Sequence, residues 1–247
     1  MTAQESAPPG GLTVDVRAVN DTFTLDVAFD VAPGSTVAVV GPNGAGKSTL
    51  IAVLAGFLPI DRGAITFDGL ILDEPSTATF VAAEHRPVAL VPQDGVLFPH
   101  MSVLANVTYG LRHRRADLSR EAREERARAA LDDVALGSFA GRRPSELSGG
   151  QAQRAAVARA LVLDAPVLLL DEPLSNIDVD NRQLIRKLLQ ERRPPGQIQI
   201  VVTHGRDHAH DADELLVLES GTLAARGRPD ELAAAPPSPW LAQLLFP

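Results

Sequence analysis

The sequence predicts an α/β fold, and three observations predict it. A buried-strand pattern over 36–40, Thr-Val-Ala-Val-Val, runs into a glycine-rich loop and then into a helical pattern over 49–55. A second apolar run, over 167–170, ends in Asp171, Glu172 and Pro173. Short alternating runs bounded by turn residues precede and follow the loop, as antiparallel strands with one face in a core do.

Residues 1–11 hold two prolines, two glycines and no apolar core, so they read as a disordered arm and not as a signal peptide. Strands are expected at 12–16, 23–31 and 64–67, with turns at Pro33-Gly34 and Asp68-Gly69. Phe23, Leu25, Val27 and Phe29 alternate on one face of the second strand. From about Met101 to Glu146 the pattern becomes helical and charged. Ser119 is placed to cap a helix whose mixed-charge face holds Glu121, Arg123, Glu124, Glu125, Arg126 and Arg128, with Leu131 and Val134 on another face. Those arginines read as a solvated face. A helical pattern over 152–162 follows, and Pro166 introduces the second apolar strand. A helix near 181–191 stops at Pro194-Pro195-Gly196, and a buried strand fills 198–202. A strand, turn and strand occupy 215–225, and the tail ends in apolar Trp240, Leu241, Leu244 and Leu245.

The loop Gly41-Pro42-Asn43-Gly44-Ala45-Gly46-Lys47-Ser48-Thr49 fits the G-x-x-x-x-G-K-[ST] pattern at every fixed position. A strand, glycine loop and helix in that order aim backbone N–H groups and a helix N-terminus at phosphate. Lys47 is then placed for the β- and γ-phosphates, and the Ser48 hydroxyl for Mg²⁺.

Composition narrows the partners. At 247 residues and 45% hydrophobic content the chain can bury a large core. With no cysteine it forms no disulfide and no thiolate metal site, which fits a reducing compartment. A net charge of -8 argues against nonspecific nucleic-acid binding, which rests on Lys and Arg neutralising phosphates. No apolar run approaches the roughly 18 residues of a membrane span, so a membrane role requires a partner chain. Asp73 and Glu74, after Leu70-Ile71-Leu72, imitate the Asp171-Glu172 string but read as exposed loop carboxylates. His204 and His208 stand four apart as zinc-binding histidines do, yet without an intervening glutamate. His208 and His210 read as exposed.

Two further segments complete an ordered set: Val91-Pro92-Gln93-Asp94, and Leu147-Ser148-Gly149-Gly150-Gln151 about twenty residues ahead of the Asp171 strand. In this order the segments resemble the ATP-binding cassette (ABC) ATPases, over about 12–245. The resemblance implies a P-loop NTPase core over about 12–95 and 147–247 with an antiparallel β-layer and a helical subdomain over about 96–146; the regulatory β-domain that importer members usually carry after the cassette is not expected within 12–247, whether by truncation or because the branch lacks that tail. It implies ATP and Mg²⁺ as ligands. Gln93 would reach Mg²⁺ and the attacking water, Asp171 would hold Mg²⁺ through water, and Glu172 would act as general base. His204 would meet the γ-phosphate. Ser148, Gly149, Gly150 and Gln151 would contact the γ-phosphate on an opposite subunit, so a head-to-tail dimer is implied. Ser175, Asn176, Ile177 and Asp178 stand at the D-loop position, and Phe23 at the adenine-stacking position, where a core role competes. The chain departs from the family string at Gly205-Arg206, where an acidic and an amide residue are usual, which implies a looser local helix start. It departs again at Ala152, where glutamine or arginine is common, although Gln153-Arg154 restores the pattern.

The wording of 93–103 resembles importer ATPases for molybdate, sulfate, iron or polyamines, and the short first layer with His85-Arg86-Pro87 resembles the molybdate branch. The implied partners are integral membrane permease subunits, a second ATPase subunit and, through the permease, an extracytoplasmic solute-binding protein. The implied place is the cytoplasmic face of the cell membrane. The alternative is a soluble ABC ATPase acting on nucleic acid or ribosomes. It calls for a second cassette, a coiled coil, zinc cysteines or a basic stripe, and the sequence has none of them.

Overall fold

The computed structural model describes residues 10–175, 177–236 and 238–245, without the side chains of Asp207 and His208. Residues 1–9 of the arm expected over 1–11, Asn176 and the His208 side chain lie outside the described residues. In chain order the elements are β1 (Leu12–Asn20), β2 (Phe23–Val31), β3 (Thr36–Val40), α1 (Lys47–Ala55), β4 (Arg62–Phe67), β5 (Leu70–Glu74), β6 (Thr79–Phe80) and β7 (Val88–Val91). Then come α2 (Val103–Arg114), α3 (Arg120–Asp133), α4 (Gly149–Leu161), β8 (Val167–Asp171), α5 (Val179–Glu191), β9 (Ile198–Val202), α6 (Arg206–Asp211), β10 (Glu214–Glu219), β11 (Thr222–Gly227), α7 (Pro229–Ala234) and α8 (Pro239–Leu245). The chain divides into two compact units, Met1–Val88 with Gly196–Pro247, and Ala89–Pro195.

In the first unit the strand order is β6-β5-β4-β1-β2-β11-β10-β3-β9. β1 runs antiparallel to both β2 and β4, which is the antiparallel layer the alternating sequence predicts. Its inward side chains Leu12, Val14, Val16 and Ala18 are buried, as are Leu25, Val27 and Phe29 of β2. β3 instead lies parallel to both β9 and β10. Strands covered on both faces cannot alternate, and β9 is buried at every residue. Asp68 and Gly69 turn the β4–β5 hairpin with φ of 50° and 76°, the two positive values that a twist-matched tight turn requires. Gly10 is not part of a free arm: its N–H donates to Asp68 Oδ1 at 2.6 Å.

Asp73 and Glu74 are not loop carboxylates. Both lie on β5, and Asp73 is 2% exposed. It accepts from the Ile60 N–H at 3.3 Å and from Arg86 Nη2 at 3.4 Å. Burial pushes its carboxyl above the usual range, against the opposing pull of those two donors. Arg86 is fully buried and donates to the Val53 and Leu54 carbonyls at 2.7 and 3.1 Å and to the Val81 carbonyl at 2.8 Å. A guanidinium on the last carbonyls of α1 satisfies acceptors that a helix end leaves open and complements its dipole. Gly56 closes the same helix with φ of 81°, and a Cβ there would lie 2.6 Å from Arg86 Nε.

In the second unit β8 lies beside β7, and α2 to α5 supply the helical content. Helices α2 and α3 lie within 96–146, and the compact unit that holds them runs from Ala89 to Pro195. Ser102 and Ser119 cap these helices, accepting from the Ala105 and Ala122 N–H groups, each at 3.1 Å. Val103, Val107, Leu111, Ala127 and Leu131 form their buried faces. The charged face of α3 is only partly solvated, because Arg126 donates to the Val162 carbonyl at 3.0 Å and pairs with Asp164.

Candidate active site

In the first unit β3 ends at Val40 and the chain enters the glycine loop. Gly41 has φ of 157°, and a Cβ there would stand 2.1 Å from the Leu218 carbonyl oxygen, so only glycine fits. Gly46 caps α1 with φ of 104°, and a Cβ there would meet the Phe23 ring at 2.8 Å. α1 therefore begins at Lys47, two residues before the predicted start. The Lys47 ammonium is buried and donates to the Gly41 and Pro42 carbonyls at 2.8 and 3.0 Å. No acidic residue stands in the first turn of α1. A helix start leaves its first N–H groups without intrahelical acceptors and carries partial positive charge. Together with the Lys47 ammonium, the first turn makes a cationic, N–H-lined cradle whose charge suits phosphate. Asn43, Gly44 and Ser48 of this loop are exposed, and Thr49 is half-buried.

Phe23 is half-buried. Its ring packs on Gly46 and on Gly221, so it is a wall of the loop as well as the end of the Leu25, Val27 and Phe29 core row. His204 follows β9 and is exposed. Thr203 Oγ1 accepts the Gly205 N–H at 2.8 Å and shapes the backbone after it. The His204 ring stands nearly edge-on to Trp240, 6.4 Å between centroids and 79° between planes.

In the second unit β8 is buried from Val167 to Leu170, and Asp171 is half-buried at its end. Glu172 follows with φ of 49°, an uncommon conformation for a residue with a Cβ. The Ser175 N–H donates to the Glu172 carbonyl at 3.0 Å, and the Ser175 hydroxyl reaches the same oxygen at 2.9 Å. That hydroxyl also lies 3.4 Å from the Gln93 carbonyl. Gln153, 2% exposed, donates through Nε2 to the Pro92 carbonyl at 3.3 Å and the Pro173 carbonyl at 3.4 Å. Gly95 has φ of 54° and passes against Gln153, where a Cβ would lie 2.9 Å from backbone atoms. Two side chains thus tie the Gln93 loop to the Glu172 turn, leaving Gln93 itself exposed.

Ser148 to Gln151 form the start of α4. Ser148 Oγ accepts the Gln151 N–H at 3.3 Å, and Gln151 Oε1 accepts the Ser148 N–H at 2.9 Å, the reciprocal pattern of a capping box. Gly149 and Gly150 stand in the first turn with no carboxylate beside them. Asp178 caps α5, accepting from the Asn181 side chain at 2.8 and 2.9 Å and from its N–H at 3.1 Å. Those hydrogen bonds hold its carboxyl below the usual range. The structure thus gives Gln151, expected at the γ-phosphate of an opposite subunit, and Asp178, expected at the D-loop position, a capping role of their own.

Residues 24–175, more than half of the chain, match the ABC transporter family. The chain belongs to that family. As an ABC cassette it is 42% identical, over 91% of its length, to the molybdenum import ATP-binding protein ModC of Mycobacterium tuberculosis. It is 40% identical, over 96% of its length, to the Fe(3+) ions import ATP-binding protein FbpC of Agrobacterium fabrum. The chain spans 62% of the length of ModC and 66% of that of FbpC. Among solved structures it is similar to the ATP-binding cassette MJ0796, a dimer bound to ADP and Pi. That likeness has a TM-score of 0.74 and 28% identity, and covers 88% of this chain and 98% of the other. The fold is the P-loop ABC ATPase fold, with a mixed β-sheet and helices.

Two residues of this ABC cassette to which sequence reasoning gave no role stand beside the sequence-predicted site residues. Gln153 reaches carbonyls 61 and 20 residues away, a contact without local periodicity. Trp240 lies in an apolar tail whose pattern predicts core, not contact with His204.

Proposed function

We propose that the chain is the ATP-hydrolysing, energy-coupling subunit of an ABC importer, acting at the cytoplasmic face of a membrane. The observation that carries the ATP reading is the Lys47 ammonium, held 2.8 Å from the Gly41 carbonyl at the start of α1 with no acid in the first turn. Similarity to import ATP-binding subunits supports the importer reading. Among the described residues no helix is long and apolar enough to cross a membrane, which is consistent with separate permease subunits supplying the path.

In this reading the loop N–H groups and Lys47 bind the β- and γ-phosphates, and Phe23 supplies a face for adenine. Ser48 and Gln93 would hold Mg²⁺, a hard cation that takes oxygen ligands, and Asp171 would hold it through water. When bound, Mg²⁺ neutralises charge on the β- and γ-phosphoryl oxygens. Glu172 takes a proton from the attacking water, Gln93 orients that water, and His204 holds the γ-phosphoryl oxygen as the bond to the β-phosphate breaks. Ser148, Gly149 and Gly150 close on the nucleotide of a second ATPase subunit through the open first turn of α4. ATP binding closes the head-to-tail dimer and hydrolysis reopens it.

The solute we propose is molybdate or a similar small oxyanion, with iron, sulfate and polyamine as the alternatives. The test is purification of the chain from detergent-solubilised native membranes, with mass spectrometry of what accompanies it. A permease and an oxyanion-binding protein are the expected companions. Ribosomes or nucleic acid in their place would sink the importer reading and leave the soluble ATPase.

A further inference from the structure

We propose that Trp240 is a positioning residue for His204, and that α8 acts as a clamp on the segment carrying that histidine. The inference rests on the reading above, in which His204 meets the γ-phosphate. A group that must contact one oxygen gains from being held in one orientation. Here the Trp240 ring meets the imidazole edge-on at 6.4 Å, an arrangement that aromatic pairs favour.

α8 is well fixed. Leu241 and Leu245 are buried with Ala38, Val40, Ala209, Leu215 and Val217 in one cluster, against which Trp240 packs. The segment after β9 touches α8 at two more points. Arg206 Nε donates to the Leu244 carbonyl at 3.2 Å, and His210 Nε2 lies 3.3 Å from the Leu245 carbonyl. Arg206 occupies one of the two positions where the sequence departs from the common string. The helix start expected to be looser there has no side-chain cap, and Arg206 adds a hydrogen bond to α8.

The experiment compares the full chain with Trp240→Ala, Trp240→Leu and Trp240→Phe, measuring kcat and KM for ATP and the imidazole proton resonances. The chain has six histidines, and the His204 signal is the one missing from His204→Ala. The alanine and leucine variants are expected to lose about tenfold in kcat with KM for ATP within about twofold, and phenylalanine to restore turnover. The His204 resonance is expected to move in the alanine variant, which removes the indole ring current beside it. A leucine variant as active as phenylalanine reduces Trp240 to apolar packing and overturns the proposal, as does a His204 resonance that Trp240→Ala leaves in place. A wild-type chain that never hydrolyses ATP defeats the functional reading instead. The resonance then still decides whether Trp240 orients the ring.

Discussion

Gln153 donates its buried side-chain amide to the Pro173 carbonyl at 3.4 Å, directly after Glu172, and the same nitrogen reaches Pro92, directly before Gln93. One amide thus holds the turns that carry the proposed general base and the proposed water-orienting glutamine.

Gln153→Leu keeps the volume and removes both donors. Positioning shells of this kind are worth about 10–100-fold in activity, so kcat is expected to fall by that factor while ATP affinity changes little. Nucleotide titration alongside steady-state turnover separates the two quantities, and an unchanged kcat rules out the tie.

The two carboxylate strings make opposite predictions. Glu172→Gln is expected to lower turnover by at least about 100-fold with an unchanged melting curve and a nucleotide-bound dimer by size-exclusion chromatography. Asp73→Ala strands a buried guanidinium and is expected to cost about 3 kcal/mol of stability, read from urea unfolding, with turnover per folded molecule preserved.

Arg86→Lys is expected to destabilise almost as much as Arg86→Met. A lysine cannot spread donors over the Val53, Leu54, Leu72 and Val81 carbonyls as the planar guanidinium does. Thermal unfolding checks this, and a lysine variant with wild-type stability contradicts it.

At Gly46 the backbone is left-handed and a Cβ would lie 2.8 Å from the Phe23 ring. Gly46→Ala is expected to weaken ATP binding at least about tenfold. Adding Phe23→Ala relieves the contact but not the φ of 104°, so it restores little. Full recovery in the double variant would mean that crowding alone, not backbone geometry, matters there.

Local chemistry was legible in the chain. The Gly41 to Thr49 pattern, the β2 alternation and the Ser119 cap depend on residues close in sequence, and the structure holds them where spacing puts them. The strings at Asp73 and Asp171 are equivalent as letters. Asp73 was misread as exposed because its partners, Ile60 and Arg86, stand 13 residues away on either side.

By itself the sequence determined the α/β pattern, the phosphate loop and the order of motifs, because periodicity and turn chemistry act over a few residues. Only the tertiary structure decided that Asp73 is buried against Arg86, that Gln153 joins two loops, and that Trp240 stands against His204. Those contacts arise from packing between segments far apart in the chain, where a buried donor must find whatever acceptor the fold brings to it.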